Sequence, residues 1–416
     1  MTAVNLVLHV RLTWPKFLVG SLTIELTRTS GMTDMFVMFP HGGTMALAIQ
    51  YGLLGAGIAL VSLTAARAYI KNLAIGPRIS RLWPAALLLS GLPFALIAAA
   101  PAAPGGPAPS LTAAYRRPPA IPFPAENPYS EAKSALGQKL FFDPLLSGSR
   151  SRSCATCHNP SLSWADGLPR ATGEKQLPLR SPSLIDVAFS DVLGWDGKFQ
   201  DLEAVAFGPI TNPAIMNLDE SELIARLSAI PGYVNEFQLA FGDPVITRRR
   251  IELAIATFER TIVAGQAPFD RWISGDETAI APAAKRGFEI FNGKGHCAAC
   301  HSGPSFTDGS FHDIGSADNG DVGRGRLFPT SRKLKYAFKT PTLRDVARRA
   351  PYMHDGSVAT LEDVIALYDK GGMDRPSRSP LIKPLLLTAS EKADLLAFLQ
   401  TLSSSSTIAE IPTLPR

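Results

Sequence analysis

The chain has 416 residues, a formal charge of +5 and 46% apolar residues, enough for two or three packed domains and too apolar for a disordered protein. Seven of the 41 basic and two of the 36 acidic residues lie in 1–103, so the remainder holds 34 of each sign. The body is therefore neutral, which argues against a nucleic-acid partner.

The N-terminal stretch 1–103 reads as a leader. Residues 1–44 show no clear pattern. Two apolar runs, 45–64 and 82–100, are separated by Arg67, Lys71, Arg78 and Arg81, a positive segment that should stay cytoplasmic. The second is followed by a Pro/Ala/Gly linker, 104–114, which suits either a cleavage region or a flexible exit from a membrane segment. Either way the body is expected in the periplasm, membrane-anchored or released.

From 115 onward the pattern is mainly α-helical with long loops. "NPYSEAKSALGQKLFF" opens on Asn127 as the expected cap and places Ala132, Leu136 and Leu140 on one helix face. "TRRRIELAIATFERTIVAG" does the same with Ile251, Ile255, Phe258 and Ile262. Thr360 should cap a later helix, with Leu361, Val364 and Tyr368 on one face and Gly371-Gly372 as its stop.

The two halves echo each other. Gly137-x-x-x-Phe141 precedes "SCATCH" and Gly287-x-x-x-Phe291 precedes "HCAACH". "RSPSLIDVA" (180–188) pairs with "KTPTLRDVA" (339–347), and "WDGKFQDLEAV" (195–205) with "HDGSVATLEDV" (354–364). Two cytochrome c-like domains are expected, 115–268 and 269–405.

Cys154, Cys157 and His158, and again Cys297, Cys300 and His301, each supply two thiols and an adjacent imidazole. That is the complete requirement for one covalently attached haem c. A zinc site would have to bridge the two repeats and would leave both histidines unexplained. Two haems per chain follow.

These motifs, with "LGQKLFFDPLLSGSRSRSCATCH", "GWDGKF", "IPGYVNEFQLAFG" and "FKTPTLRDVARRAPYMHDGSVATLEDV", resemble the bacterial di-haem cytochrome c peroxidase/MauG family over roughly residues 115–405. MauG is the member that matures methylamine dehydrogenase. The resemblance implies hydrogen peroxide at the first haem and electron relay through the second, with Trp195 between them. It implies a small cytochrome or cupredoxin as electron donor, and a homodimer. It places the second haem's distal ligand on Tyr368, with Met373 and Met353 as alternatives. It also implies a calcium between the haems, with two backbone carbonyls falling on Arg349 and Pro351. Ser181 stands where the family has an asparagine, a weaker ligand for a hard cation.

The largest departure lies in the first haem's distal pocket. The family's glutamine and glutamate fall on Val205 and Ile215 within "LEAVAFGPITNPAIMN". No histidine lies between His158 and His296, so the distal histidine of the resting peroxidase has no counterpart. Met216 is the candidate to reach the iron instead, and Glu222 and Glu236 are candidate substitutes for the missing acid. Two expectations follow: a weak peroxidase, or a MauG-like or purely electron-transferring cytochrome.

Overall fold

The computed structural model describes residues 111–316, 320–404 and 410–416, together with the backbone of four strands between residues 5 and 49. The chain divides into two units, Met1–Pro104 and Gly105–Arg416.

In the first unit, β1 (Asn5–Leu12), β2 (Gly20–Thr29), β3 (Met32–Met38) and β4 (Thr44–Ile49) form an antiparallel meander in sequence order. Its register runs from Asn5 opposite Thr27, through Thr29 opposite Met32, to Met38 opposite Thr44. This corrects the reading of 1–44 as patternless: "NLVLHVRL" and "SLTIELT" alternate with the two-residue period of strands. Residues 45–49 of the expected span 45–64 belong to β4. The rest of that span, the span 82–100 and most of the linker lie outside the described residues. Among the described residues, no helix is long and apolar enough to cross a membrane.

The second unit is mainly helical: α1 (Glu131–Phe142), α2 (Cys154–Cys157), α3 (Leu202–Thr211), α4 (Glu220–Ser228), α5 (Pro231–Phe241), α6 (Arg248–Arg260), α7 (Pro268–Ile273), α8 (Pro282–Asn292), α9 (Leu361–Lys370) and α10 (Ala389–Gln400). A two-stranded ribbon pairs β5 (Phe311–His312) with β6 (Phe338–Lys339).

Helix α1 starts one turn later than expected. Ser130 is its cap, accepting from the Lys133 N–H, because Asn127 is employed elsewhere. Asn127 is buried; its amide donates to Glu203 Oε1 (2.7 Å) and the Leu253 carbonyl (3.0 Å) and accepts from Thr257 (3.1 Å). Glu203 also takes a bidentate bond from Arg260, at 2.7 and 2.8 Å. With every partner satisfied, this buried pair ties α3 to α6 at a fixed register. Thr360 caps α9 as expected, and Gly371 ends it at φ 82°.

The duplication has a steric origin. A Cβ on Gly137 would lie 1.9 Å from the Ala254 carbonyl oxygen, and one on Gly287 would lie 2.0 Å from that of Asp394. Each glycine therefore lets two helices cross in backbone contact, α1 over α6 and α8 over α10. The aromatic one turn later packs behind the crossing. Phe141 meets Phe258 and Trp164 at 5.3 and 5.8 Å, while Phe291 meets Phe398 and Phe306 at 5.0 and 6.0 Å.

Two apolar cores result. Leu136, Leu140, Phe141, Phe237, Ile251 and Ile255 centre the first; Phe288, Phe291, Leu395 and Phe398 centre the second. Tyr115, Phe269 and Ile273 join the second core, so the start of the body packs against its C-terminal half.

Candidate haem sites

Each Cys-x-x-Cys-His sits at the foot of its own core: Cys154 packs against the first and Cys297 against the second. Among the described residues, no cluster of ligating atoms unites the four sulfurs. A shared zinc would need them together; two haems need them apart.

The two histidines are prepared in the same way. His158 Nδ1 lies 3.3 Å from the Trp164 carbonyl and His301 Nδ1 lies 2.9 Å from the Phe306 carbonyl. Both acceptors sit on left-handed backbone, with φ of 60° at Trp164 and 52° at Phe306. Donation from Nδ1–H leaves the Nε2 lone pair free for iron and fixes the ring. Burial lowers both imidazoles below the usual histidine range, only partly opposed by those carbonyls, so both are neutral.

The second motif opens on a cavity of about 260 Å³ lined by Cys297, Cys300, His301, Tyr368, Met353 and Trp195, among others. Tyr368 projects from α9 into it. Burial pushes its phenol well above the usual range, and Cys297 and Cys300 add to the shift. Met353 reaches the same cavity from a backbone at φ 71°. Met373 does not: it is 43% exposed beyond the Gly371 stop, which removes it as a ligand candidate.

Three buried polar atoms on residues lining this cavity have no hydrogen-bond partner: Arg180 Nε, Arg349 Nε and His354 Nε2. Lys339, whose ammonium burial lowers to about 8, lines it as well. An otherwise apolar cavity carrying two guanidinium Nε–H groups without partners fits a haem, whose two carboxylates are its only strongly polar groups.

Trp195 stands where the two repeats meet. Its Nε1–H donates to the Arg180 carbonyl (3.0 Å), and its own carbonyl accepts from the Lys339 N–H (2.9 Å). The turn that presents it needs Gly197 at φ 70°, where a Cβ would fall 2.3 Å from Arg324 and Phe311.

Val205, on α3, and Ile215 are partly buried against the first core, which also receives Ala155 and Trp164; Met216 is fully inside it. Glu236 is ion-paired with Lys139, and Glu222 with Arg226, so neither supplies an acid to the haem. The sequence reading missed a different carboxyl, Glu259 on α6. It is 6% exposed, its Oε2 has no partner, and burial pushes it up to about 8, with Arg260 opposing and Glu203 reinforcing. It acts electrostatically on Cys154. The signal was an acid inside the apolar stripe of "IELAIATFER".

The expected calcium ligands do not fit that ion. The Arg349 carbonyl already accepts from Arg180 Nη2 at 2.9 Å, and Arg349's own guanidinium donates to the Thr342 carbonyl. Ser181 is buried beside them. Among the described residues neither guanidinium is hydrogen-bonded to a carboxylate, so a divalent cation here would meet two buried positive charges, with the amide oxygen of the family's set reduced to the Ser181 hydroxyl.

Two thiol-pair motifs, each below a glycine-crossed helix pair and sharing a junction at Trp195, define a di-haem c-type cytochrome. Comparison gives the family. The description "Di-haem cytochrome c peroxidase" matches residues 131–278 and "Cytochrome c" matches 284–403. Methylamine utilization protein MauG of Methylorubrum extorquens is 50% identical over 310 residues, covering 74% of this chain and 88% of that protein. Cytochrome-c peroxidase IdrP1 of Denitromonas iodatirespirans is 36% identical over 332 residues, covering 71% and 88%. The crystal structure of a MauG-like protein associated with microbial copper homeostasis superposes with a TM-score of 0.66 at 31% identity, covering 71% of this chain and 95% of that one. The chain belongs to the di-haem cytochrome c peroxidase/MauG family.

Proposed function

We propose that this protein is a MauG-like di-haem oxidoreductase that takes hydrogen peroxide, or an oxidant of that class, at the first haem and receives electrons through the second. Cys154, Cys157 and His158 would hold the first haem; Cys297, Cys300, His301 and Tyr368 would hold the second. Bound haem supplies the redox-active iron and the oxidant chemistry. The protein's own residues decide which version of that chemistry is favoured.

The observation that carries the reading is a tyrosine in the second cavity together with two apolar residues, Val205 and Ile215, packed against the core beside the first motif. Tyr368 shares its cavity with His301 and Trp195. A phenolate is an anionic, hard ligand and favours the ferric state. Val205 and Ile215 exclude the polar side chains that would move a proton between peroxide oxygens. The apolar pair leads away from rapid peroxidase turnover, and the tyrosine leads toward the relative named for methylamine utilization. Trp195, hydrogen-bonded at both its indole and its carbonyl, is a rigid aromatic bridge between the halves.

The leader reading supports a periplasmic location and a small cytochrome or cupredoxin as donor. The test is peroxide reduction by the holoprotein with a reduced small c-type cytochrome, followed alongside the haem spectrum after stoichiometric peroxide. A spectral response with slow turnover is expected. A spectrum indifferent to peroxide would make the protein an electron-transfer cytochrome instead.

A further inference from the structure

We infer that the guanidinium of Arg180 is a built-in replacement for the inter-haem calcium, so that this protein joins its two haem domains without a metal ion. Arg180 is held at three points. Its N–H donates to the His354 carbonyl (3.0 Å), its carbonyl accepts from Trp195 Nε1 (3.0 Å), and its guanidinium donates to the Arg349 carbonyl (2.9 Å). It is 7% exposed. One residue therefore ties the tryptophan of the first repeat to the segment 349–354 of the second.

A cation at this place has two tasks: satisfying inward-facing carbonyls, which are costly to leave unpaired, and placing positive charge between two redox centres. A guanidinium performs both. It is planar, permanently charged and more weakly hydrated than an ammonium, hence suited to a buried carbonyl. Unlike calcium it needs no six to eight oxygen ligands, and the single hydroxyl of Ser181 is then sufficient beside it. Arg349 adds a second buried charge. Burial lowers its guanidinium to about 10, and Arg180 contributes to the same shift, so the two cations lie within electrostatic reach of each other. A third, divalent cation has no place there.

The test uses the holoprotein, dialysed against EGTA and then analysed for calcium by mass spectrometry, with optical and electron paramagnetic resonance spectra recorded before and after. Well under one calcium per chain is expected, with spectra unchanged by EGTA or by added calcium. One tightly held calcium per chain, or haem spectra that EGTA perturbs and calcium restores, would overturn the inference. Arg180→Asn supplies the converse arm, since an amide oxygen replaces the cation. That variant should show a saturable spectral response to calcium chloride. A variant with wild-type spectra and no response to calcium would show that the guanidinium is not what holds the junction. Neither result depends on peroxide turnover, so the functional reading stands or falls separately.

Discussion

Trp195 and His354 occupy the same position in the two repeats, and each accepts on its carbonyl the N–H of the residue that opens the other repeat's Ser/Thr-Pro segment. Arg180 donates to His354 at 3.0 Å and Lys339 donates to Trp195 at 2.9 Å. The flanking bridges match as well, Leu193 with Phe199 and Tyr352 with Val358. The junction is thus an approximate two-fold exchange of backbone bonds, in which the side chains differ: an indole corresponds to an imidazole and a guanidinium to an ammonium.

Trp195→Phe removes the Nε1–H and leaves the Arg180 carbonyl short of a partner, while keeping an aromatic ring. Electron equilibration between the haems should slow several-fold, with both haem spectra close to wild type. Flash or stopped-flow reduction of the two haems measures it. An unchanged rate would remove the indole from the path.

Tyr368→Phe should change the ferric spectrum of one haem and raise its potential, because a hard anionic ligand is lost. Met353→Leu should leave that potential alone. A redox titration of the three proteins decides between the two residues in the cavity; a shift confined to the Met353 variant would transfer the ligand role to it.

The glycine crossings should be intolerant of any side chain. Gly137→Ala and Gly287→Ala each place a methyl within 2.0 Å or less of a backbone carbonyl. Overpacking of this kind costs about 1–3 kcal/mol and more where the obstacle is backbone. Denaturant midpoints of the holoproteins should fall for both, whereas Gly242→Ala, at an open position, should show only the smaller strain of its φ of 75°.

Glu259 gives a pH signature. Its native value of about 8 exceeds the ordinary 4.5, so between those values the folded protein holds a proton that the unfolded chain releases. Stability should fall as pH rises through that window, and Glu259→Gln should flatten the slope. Urea midpoints from about pH 5 to about pH 8 measure this. A slope as steep in the variant as in the wild type would assign it to other groups.

Much of this was legible in the sequence because it is carried by local spacing. Two thiols and a histidine within five residues specify a haem, and the Gly-x-x-x-Phe that precedes each of them marks the duplication. Thr360 and Gly371 bracket α9 by capping chemistry alone. What the sequence hid depends on contacts between distant segments. Asn127 looked like a helix cap, yet its amide is used by Glu203, Leu253 and Thr257, far along the chain. Arg180 carried no signal of its own beyond opening the repeated "RSPSLIDVA"; only folding brings it to the Arg349 carbonyl, 169 residues away. Glu259 could not be distinguished from the solvated acids until its helix face was seen to be buried.

Val205 and Ile215, packed against the first core where the family has its glutamine and glutamate, carry the central proposal, that this family member has given up rapid peroxidase chemistry. Ile215→Glu restores an acid where the family has one, and a positioned proton-transfer group contributes roughly a hundredfold. The measurement is steady-state hydrogen peroxide reduction by wild type and Ile215→Glu, with the same reduced cytochrome donor. Slow wild-type turnover that rises by about tenfold to a hundredfold in the variant is the predicted result. Fast wild-type turnover that Ile215→Glu leaves unchanged would contradict it, since another group would then be moving the proton.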